Sequence, residues 1–186
     1  MTDIKNARIL ILSANGFEQS ELEVPRDELR AKGATVHLAT PDGEAVMGWD
    51  KKDWGRKADA DLRIADARTA DYDAVIIPGG QINPDLLRTQ SEAVDLVRDF
   101  AKQGKVVAAI CHGPWVLAEA RVVEGRKMTS YHSIKTDIVN AGADWVDQEV
   151  VVSNGIVTSR SPDDLGAFVS KIVEEVEEGR HKRSAA

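Results

Sequence analysis

The chain holds a single cysteine, Cys111, followed at once by His112, Gly113, Pro114 and Trp115. One unpaired cysteine cannot close an internal disulfide, and no Cys/His group has zinc-ligand spacing. The thiol is therefore either a buried apolar filler or a reactive group. Its neighbours favour the second. Residues 105–110 (KVVAAI) form the near-continuous apolar run of a strand buried on both faces. Gly113 relieves the crowding of a sharp turn, and Pro114 suits a first helical position, where no N–H is lost. Strand, tight turn and helix make the layout of a nucleophile elbow. A thiol there meets the positive end of a helix and its free N–H groups, which predicts a pKa below the ordinary value. His112 can accept or share the thiol proton, or serve only as a turn residue bonded to backbone; spacing leaves both open.

Sites in open α/β sheets form at the carboxyl ends of strands, which singles out two more segments. Residues 15–21 (NGFEQSE) follow an apolar strand at 7–13, and residues 78–85 (PGGQINPD) follow another at 73–77. Glu18 and Glu21 open the helix expected over 18–32, where the dipole alone accounts for a carboxylate, so the residues by themselves give neither a catalytic role. Gly79 and Gly80 allow close backbone approach and an oxyanion-type N–H, but Pro-Gly-Gly is also an ordinary turn. Asp85, after Asn83-Pro84, reads first as a helix N-terminal acid.

The remaining elements must hold these turns at one edge. A strand is expected at 35–39, an amphipathic helix at 91–103 with Val94, Val97 and Phe100 on one face, and a short helix at 115–120. A brief strand at 127–129, a helix at 133–141, a hairpin of 149–152 with 156–159 around Asn154-Gly155, and a helix at 163–178 complete the series. Residues 43–70, with Trp49 and Trp54, read as a small hairpin or an irregular excursion. Alternating strands and helices predict an α/β fold with a mostly parallel sheet covered on both faces. We expect one domain over 1–186, with 179–186 a frayed, solvated tail. The formal net charge of −7 and a pI near 5.1 repel phosphate backbones and anionic lipid. No membrane partner and no sequence-specific nucleic-acid binding is expected. The first apolar run is too short for a signal segment or a span, so a cytoplasmic protein is expected.

Five motifs in order, ANGFEQSELEVP, IIPGG with NPDLLR, AICHGPW, GRKMTSYHSIKTDIVNAGADWVD and VTSRSPDDL, resemble the PfpI family of the ThiJ/PfpI superfamily. The resemblance runs from about Arg8 to about Glu178. It implies a flavodoxin-like three-layer sandwich akin to class I glutamine amidotransferases. It also makes Cys111 the nucleophile and Glu21 the acid that shares its proton, with Glu18 one helical turn earlier as a supporting group. Gly80 and His112 match positions whose N–H groups form an oxyanion pocket, with Gly79, Trp115 and Tyr131 around it. In peptidase-like members His112 pairs with the cysteine, and an acid from a neighbouring subunit, at the position of Asp85, completes a triad. Asp stands here where members often carry Glu. Trp49 and Trp54 fall in a segment near the site mouth.

Members of the family include peptidases, glyoxalases that need no cofactor, protein deglycases and redox-sensing stress proteins, and the shared fold does not choose among them. The leading expectation is an enzyme without metal or cofactor, acting on a small dicarbonyl such as methylglyoxal or on its early glycation adducts. The chain carries no Gly-x-Gly-x-x-Gly phosphate loop, in keeping with that. The alternatives are an intracellular cysteine peptidase with an oligomeric Cys111-His112-Asp85 triad and a non-enzymatic redox sensor or chaperone. An amidotransferase is disfavoured, because VTSRSPDDLGAF lacks the histidine those enzymes place near the end of the domain. A homo-oligomer, dimer or higher, is expected from the relatives.

Overall fold

Alternation along three neighbouring strands accounts for the layering of the computed structural model, which describes residues 2–179. The predicted tail falls, beyond Gly179, outside the described residues. In chain order the elements are β1 (Arg8–Leu12), β2 (Phe17–Glu18), α1 (Gln19–Ala31), β3 (Thr35–Thr40), β4 (Val46–Asp50), β5 (Asp53–Ala58), β6 (Leu62–Arg63) and β7 (Ala74–Ile77). There follow α2 (Ile82–Leu87), α3 (Ser91–Lys102), β8 (Val106–Ile110), α4 (Pro114–Glu119), β9 (Lys127–Met128), α5 (Lys135–Asn140), β10 (Asp144–Trp145), β11 (Val150–Ser153), β12 (Ile156–Ser159) and α6 (Leu165–Glu178).

The main sheet runs β11-β12-β8-β7-β1-β3-β6, and all its pairings are parallel except the β11–β12 hairpin. Ile9, Ile11, Ala108 and Ile110 point into one core, Leu10, Leu12, Val107 and Ala109 into the other, so both faces must be covered. On the first face lie α1, through Leu22 and Leu29, and α6, through Phe168, Val169 and Ile172. On the second lie α3, through Val97 and Phe100, α4, through Val116 and Leu117, and α5, through Ile138. The result is the mostly parallel sheet covered on both faces that the alternation predicts, in the three-layer sandwich that the family resemblance implies. Among the described residues no helix is long and apolar enough to cross a membrane.

The 43–70 segment resolves into the hairpin alternative: β4 and β5 pair antiparallel, and β4 also pairs with β2, which lays a small β2-β4-β5 sheet beside the turn after β1. The tip is turned by Lys51 at φ 57°. The two-residue β10, which pairs with β9, carries too little pattern to be legible in sequence.

The fully buried Phe168 joins α6 to the strands that carry the turns. Truncating it to alanine removes a buried ring and leaves a cavity, so Phe168→Ala is expected to destabilise the fold by about 3–5 kcal/mol in urea unfolding, with the slope unchanged.

Candidate active site

Cys111 lies directly after β8 at φ 62°, a left-handed conformation uncommon for a residue with a side chain. Three backbone hydrogen bonds hold it there. Its N–H donates to Ser159 O (3.0 Å), its carbonyl accepts from the Tyr131 N–H (2.8 Å), and the Gly113 N–H closes the turn onto Ile110 O (2.8 Å). A Cβ at Gly113 would sit 2.6 Å from Ile77 O and 2.9 Å from Ile110 O. Only glycine lets the turn lie against β7, and the turn aims the thiol over the carboxyl edge of the sheet.

Glu21 meets it from the first turn of α1. Its side chain is fully buried, and Oε2 accepts the Gly79 N–H at 2.8 Å. Oε1 has no hydrogen-bond partner of ordinary geometry among the described residues, and the carboxyl interacts with the Cys111 thiol. Gly79 separates the two: a Cβ there would fall 2.5 Å from Glu21 Oε2 and 2.6 Å from Cys111 Cβ. Gly80, at φ 78°, is packed so tightly that a Cβ would meet Gly16 O at 2.3 Å, and its N–H points at the sulfur together with that of His112. The Pro-Gly-Gly segment is anchored by Asn83, which is fully buried. Its amide donates to Pro78 O (2.8 Å) and Gly79 O (3.3 Å), and its oxygen accepts the Ala14 N–H (2.7 Å). Asn83 thereby ties the end of β7 to the end of β1. In the sequence it reads as a residue before proline, and nothing local marks it as a clamp.

Burial dominates the electrostatics. It pushes the Glu21 carboxyl up to about 8, against the Gly79 N–H, which favours the charged form, and with some help from the charge of Glu18. Glu21 is thus protonated at neutral pH. Burial and then the Glu21 charge also push the Cys111 thiol upward, opposed by the N–H groups of Gly80 and His112. This corrects the expectation from helix position alone: the dipole of a short helix does not outweigh desolvation and an adjacent carboxylate. The two acids titrate as a pair, and removing one proton leaves the other to be shared. When Glu21 keeps that proton, its charge no longer opposes the thiolate, and the two N–H groups face a sulfur anion.

His112 lies on the other side of the sulfur, with Nδ1 3.2 Å from Sγ and Nε2 3.1 Å from Ser133 Oγ. Its ring stacks on Tyr131 at 4.8 Å between centroids and meets the edge of Trp115 at 5.2 Å. Burial, and then His132, lower its pKa to about 4, so the imidazole is neutral at pH 7. His112 therefore offers both its side chain and its backbone N–H to the sulfur.

A cavity of about 510 Å³ opens above these groups, lined by Glu18, Glu21, Gly80, Cys111, His112 and Tyr131. Gly16, Trp49, Lys51, Gln81, Ile82 and Pro162 complete its wall. Of these, Lys51 and Pro162 escaped sequence reasoning, Lys51 because it reaches the mouth only once the β4–β5 hairpin folds over it, whereas Gln81 and Ile82 lie in the segment 78–85. Burial raises the pKa of Glu18, with the neighbouring charge of Asp50 adding to it and the Ser20 hydroxyl opposing. A second cavity, of about 530 Å³, lies at the opposite end of the strands by Arg8, Tyr72 and Lys105, away from the thiol. Four expected residues stand apart from the cavity wall: Gly79, packed between Glu21 and Cys111, Trp54, exposed on β5, and Trp115 and Asp85. Trp115 backs the His112 ring, donating from Nε1 to Asp137 Oδ2 (2.8 Å) beneath the Arg88 guanidinium. Asp85 is exposed on α2 and paired with Arg88 (2.6 Å) of its own chain.

Fold and site thus define a class: an α/β sandwich whose cysteine stands on a strand-to-helix turn beside a buried glutamic acid. The sequence profile of the DJ-1/PfpI family matches residues 7–175, and the chain belongs to that family. It is 40% identical over 166 residues to the Pyrococcus furiosus protein named deglycase PfpI, covering 89% of this chain and 97% of that one. It is 41% identical over 162 residues to YraA of Bacillus subtilis, named as a candidate cysteine protease, covering 87% and 93%. The crystal structure of Drosophila melanogaster DJ-1beta superposes with a TM-score of 0.82 at 33% identity, covering 93% of this chain and 95% of that one.

The raised acid fixes a pH dependence of stability. Below the ordinary value of 4.5 Glu21 is protonated folded or unfolded; between there and about 8 only the folded chain keeps the proton, so stability falls as pH rises through that window and levels off above it. Glu21→Gln, neutral throughout, should gain about 2–4 kcal/mol on wild type between pH 5 and pH 8.5 in urea unfolding. A constant difference would mean that Glu21 is ionised in the fold.

Proposed function

We propose that this protein is a cysteine-dependent enzyme of the deglycase or glyoxalase type, acting on small dicarbonyls such as methylglyoxal or on their early adducts with amines and thiols. The observation that carries the reading is the buried Glu21 carboxyl, raised to about 8, facing the Cys111 thiol with one oxygen free of any ordinary hydrogen bond. Isomerising a dicarbonyl needs a nucleophile and a group that both gives and takes a proton beside it. The sulfur adds as thiolate to the aldehyde carbon, forming a C–S bond as the C=O π bond breaks, and the resulting alkoxide takes the proton of Glu21 to give the hemithioacetal. Glu21, once ionised, removes the proton from that carbon and returns it to the neighbouring one, while the N–H groups of Gly80 and His112 hold the enediolate oxygen. Water then cleaves the resulting thioester, releasing a 2-hydroxy acid and the thiol. The name carried by the Pyrococcus furiosus relative, deglycase, supports the deglycase form of this reading.

A cysteine peptidase is the second reading, favoured by the 3.2 Å contact between Cys111 Sγ and His112 Nδ1 and by the name of the Bacillus relative. Against it, the acid it requires, Asp85, is exposed and held by Arg88, and would have to come from another copy. We also take the protein to be a homo-oligomer, since Ile82 and Leu86 of α2 are exposed beside the cavity. A cytoplasmic setting suits a lone unpaired cysteine, because reducing compartments preserve thiols.

Wild type and Cys111→Ser, each given methylglyoxal, a methylglyoxal-treated peptide and casein, separate these readings. The expected outcome is hydroxy-acid formation or adduct removal, intact casein, and a loss of at least about 10³-fold in kcat/KM for Cys111→Ser. Casein cleavage without dicarbonyl turnover would establish the peptidase, and no turnover of any substrate would establish a non-enzymatic thiol.

A further inference from the structure

The imidazole of His112 presents two nitrogens to two partners, and only one of those partners has so far been given a role. Nδ1 faces the sulfur at 3.2 Å; Nε2 faces the hydroxyl of Ser133 at 3.1 Å. Ser133 belongs to the short 3-10 turn His132–Ile134, which follows Tyr131, whose N–H donates to the Cys111 carbonyl at 2.8 Å. The same segment thus fixes the nucleophile through its backbone and the histidine through a side chain, with the Tyr131 ring stacked on the imidazole at 4.8 Å. Among the described residues no carboxylate hydrogen-bonds the ring. The titratable groups that face it are Cys111 from its own turn, and Tyr131 and His132 from the segment packed over it.

We propose that Ser133 is the positioning residue of this site: its hydroxyl occupies the place beyond His112 where a triad would put an acid, and it keeps Nδ1 aimed at the sulfur. A hydroxyl suits a neutral imidazole better than a carboxylate does, because it both donates and accepts. With the proton on Nδ1, the ring donates to a thiolate, and Ser133 donates to Nε2. With the proton on Nε2, that N–H donates to Ser133 Oγ, and Nδ1 is open to the thiol proton. If Nδ1 takes that proton, the S–H bond breaks, its electron pair stays on sulfur, and the resulting imidazolium donates to the thiolate and to Ser133 at once. Rotation of one hydroxyl follows each change. A carboxylate would instead fix one tautomer and raise the imidazole pKa. On this view no acid from a second copy is needed to orient His112. The inference rests on the reading of Cys111 as nucleophile, and not on the identity of the electrophile.

The test is the rate of Cys111 alkylation by iodoacetamide across pH, run beside kcat and KM for methylglyoxal, on wild type, Ser133→Ala, Ser133→Thr and Asp85→Asn. Ser133 is on the surface of a turn, and matched urea unfolding curves check that each variant is folded. Ser133→Ala should alkylate roughly threefold more slowly at pH 7, with its midpoint raised by roughly half a unit, and should lose a similar factor in kcat with little change in KM. Ser133→Thr, which keeps the hydroxyl, should stay within about twofold of wild type. Superimposable alkylation profiles for Ser133→Ala and wild type would overturn the proposal, as would a threonine variant as impaired as alanine. A larger profile shift in Asp85→Asn than in Ser133→Ala would overturn it in favour of an acid from another copy. If the alkylation shifts occur but wild type turns over no dicarbonyl, the proposed function fails while the role of Ser133 stands.

Discussion

A carboxyl group and a thiol buried side by side cannot both be ionised, and the cost of desolvating two adjacent negative charges governs this site. Glu21 is fully buried with one ordinary hydrogen bond, from the Gly79 N–H, and Cys111 is 6% exposed with two N–H groups directed at its sulfur. At most one negative charge is accommodated, and the protein supplies donors for one. Nearly every unusual local feature follows from bringing those two side chains and three N–H groups into one small space.

The steric consequences are visible in the glycines. Positions 79, 80 and 113 each lie against backbone or reactive side-chain atoms at distances that exclude a Cβ. The left-handed backbone at Cys111 costs of order 1–3 kcal/mol and is held by bonds to Ser159, Tyr131 and the Gly113 turn. Asn83 joins the β1 and β7 ends from within, and the Gly113 turn packs the end of β8 against β7. The large two-sided core behind that edge is what keeps the strained turns in place.

The family uses this frame for activities that carry different names, and the fold cannot separate them. What differs among chemistries on a shared cysteine is the management of protons around it. Here one side of the sulfur has a buried acid that is neutral at pH 7, and the other has a neutral imidazole braced by a hydroxyl. That arrangement moves protons over short distances without carrying net charge, as isomerising a dicarbonyl or its early adduct requires.

The amino-acid sequence by itself determined the strands β1, β3, β7 and β8, the two-faced burial of β8, and the elbow at Cys111, because continuous apolar runs and a Gly-Pro turn are local signals. Family resemblance, not spacing, pointed to Glu21, since a carboxylate in a first helical turn has a sufficient local explanation in the dipole. The direction of the thiol shift could not be read from the chain: the helix argued for acidification, whereas burial and the Glu21 charge push the other way. The bracing roles of Asn83 and Ser133 and the place of Lys51 in the cavity wall were likewise silent, each depending on a contact with a segment distant in sequence. Tertiary structure decided those matters, because desolvation and hydrogen-bond partnership depend on which distant segments meet at the sheet edge, and no local pattern encodes that meeting.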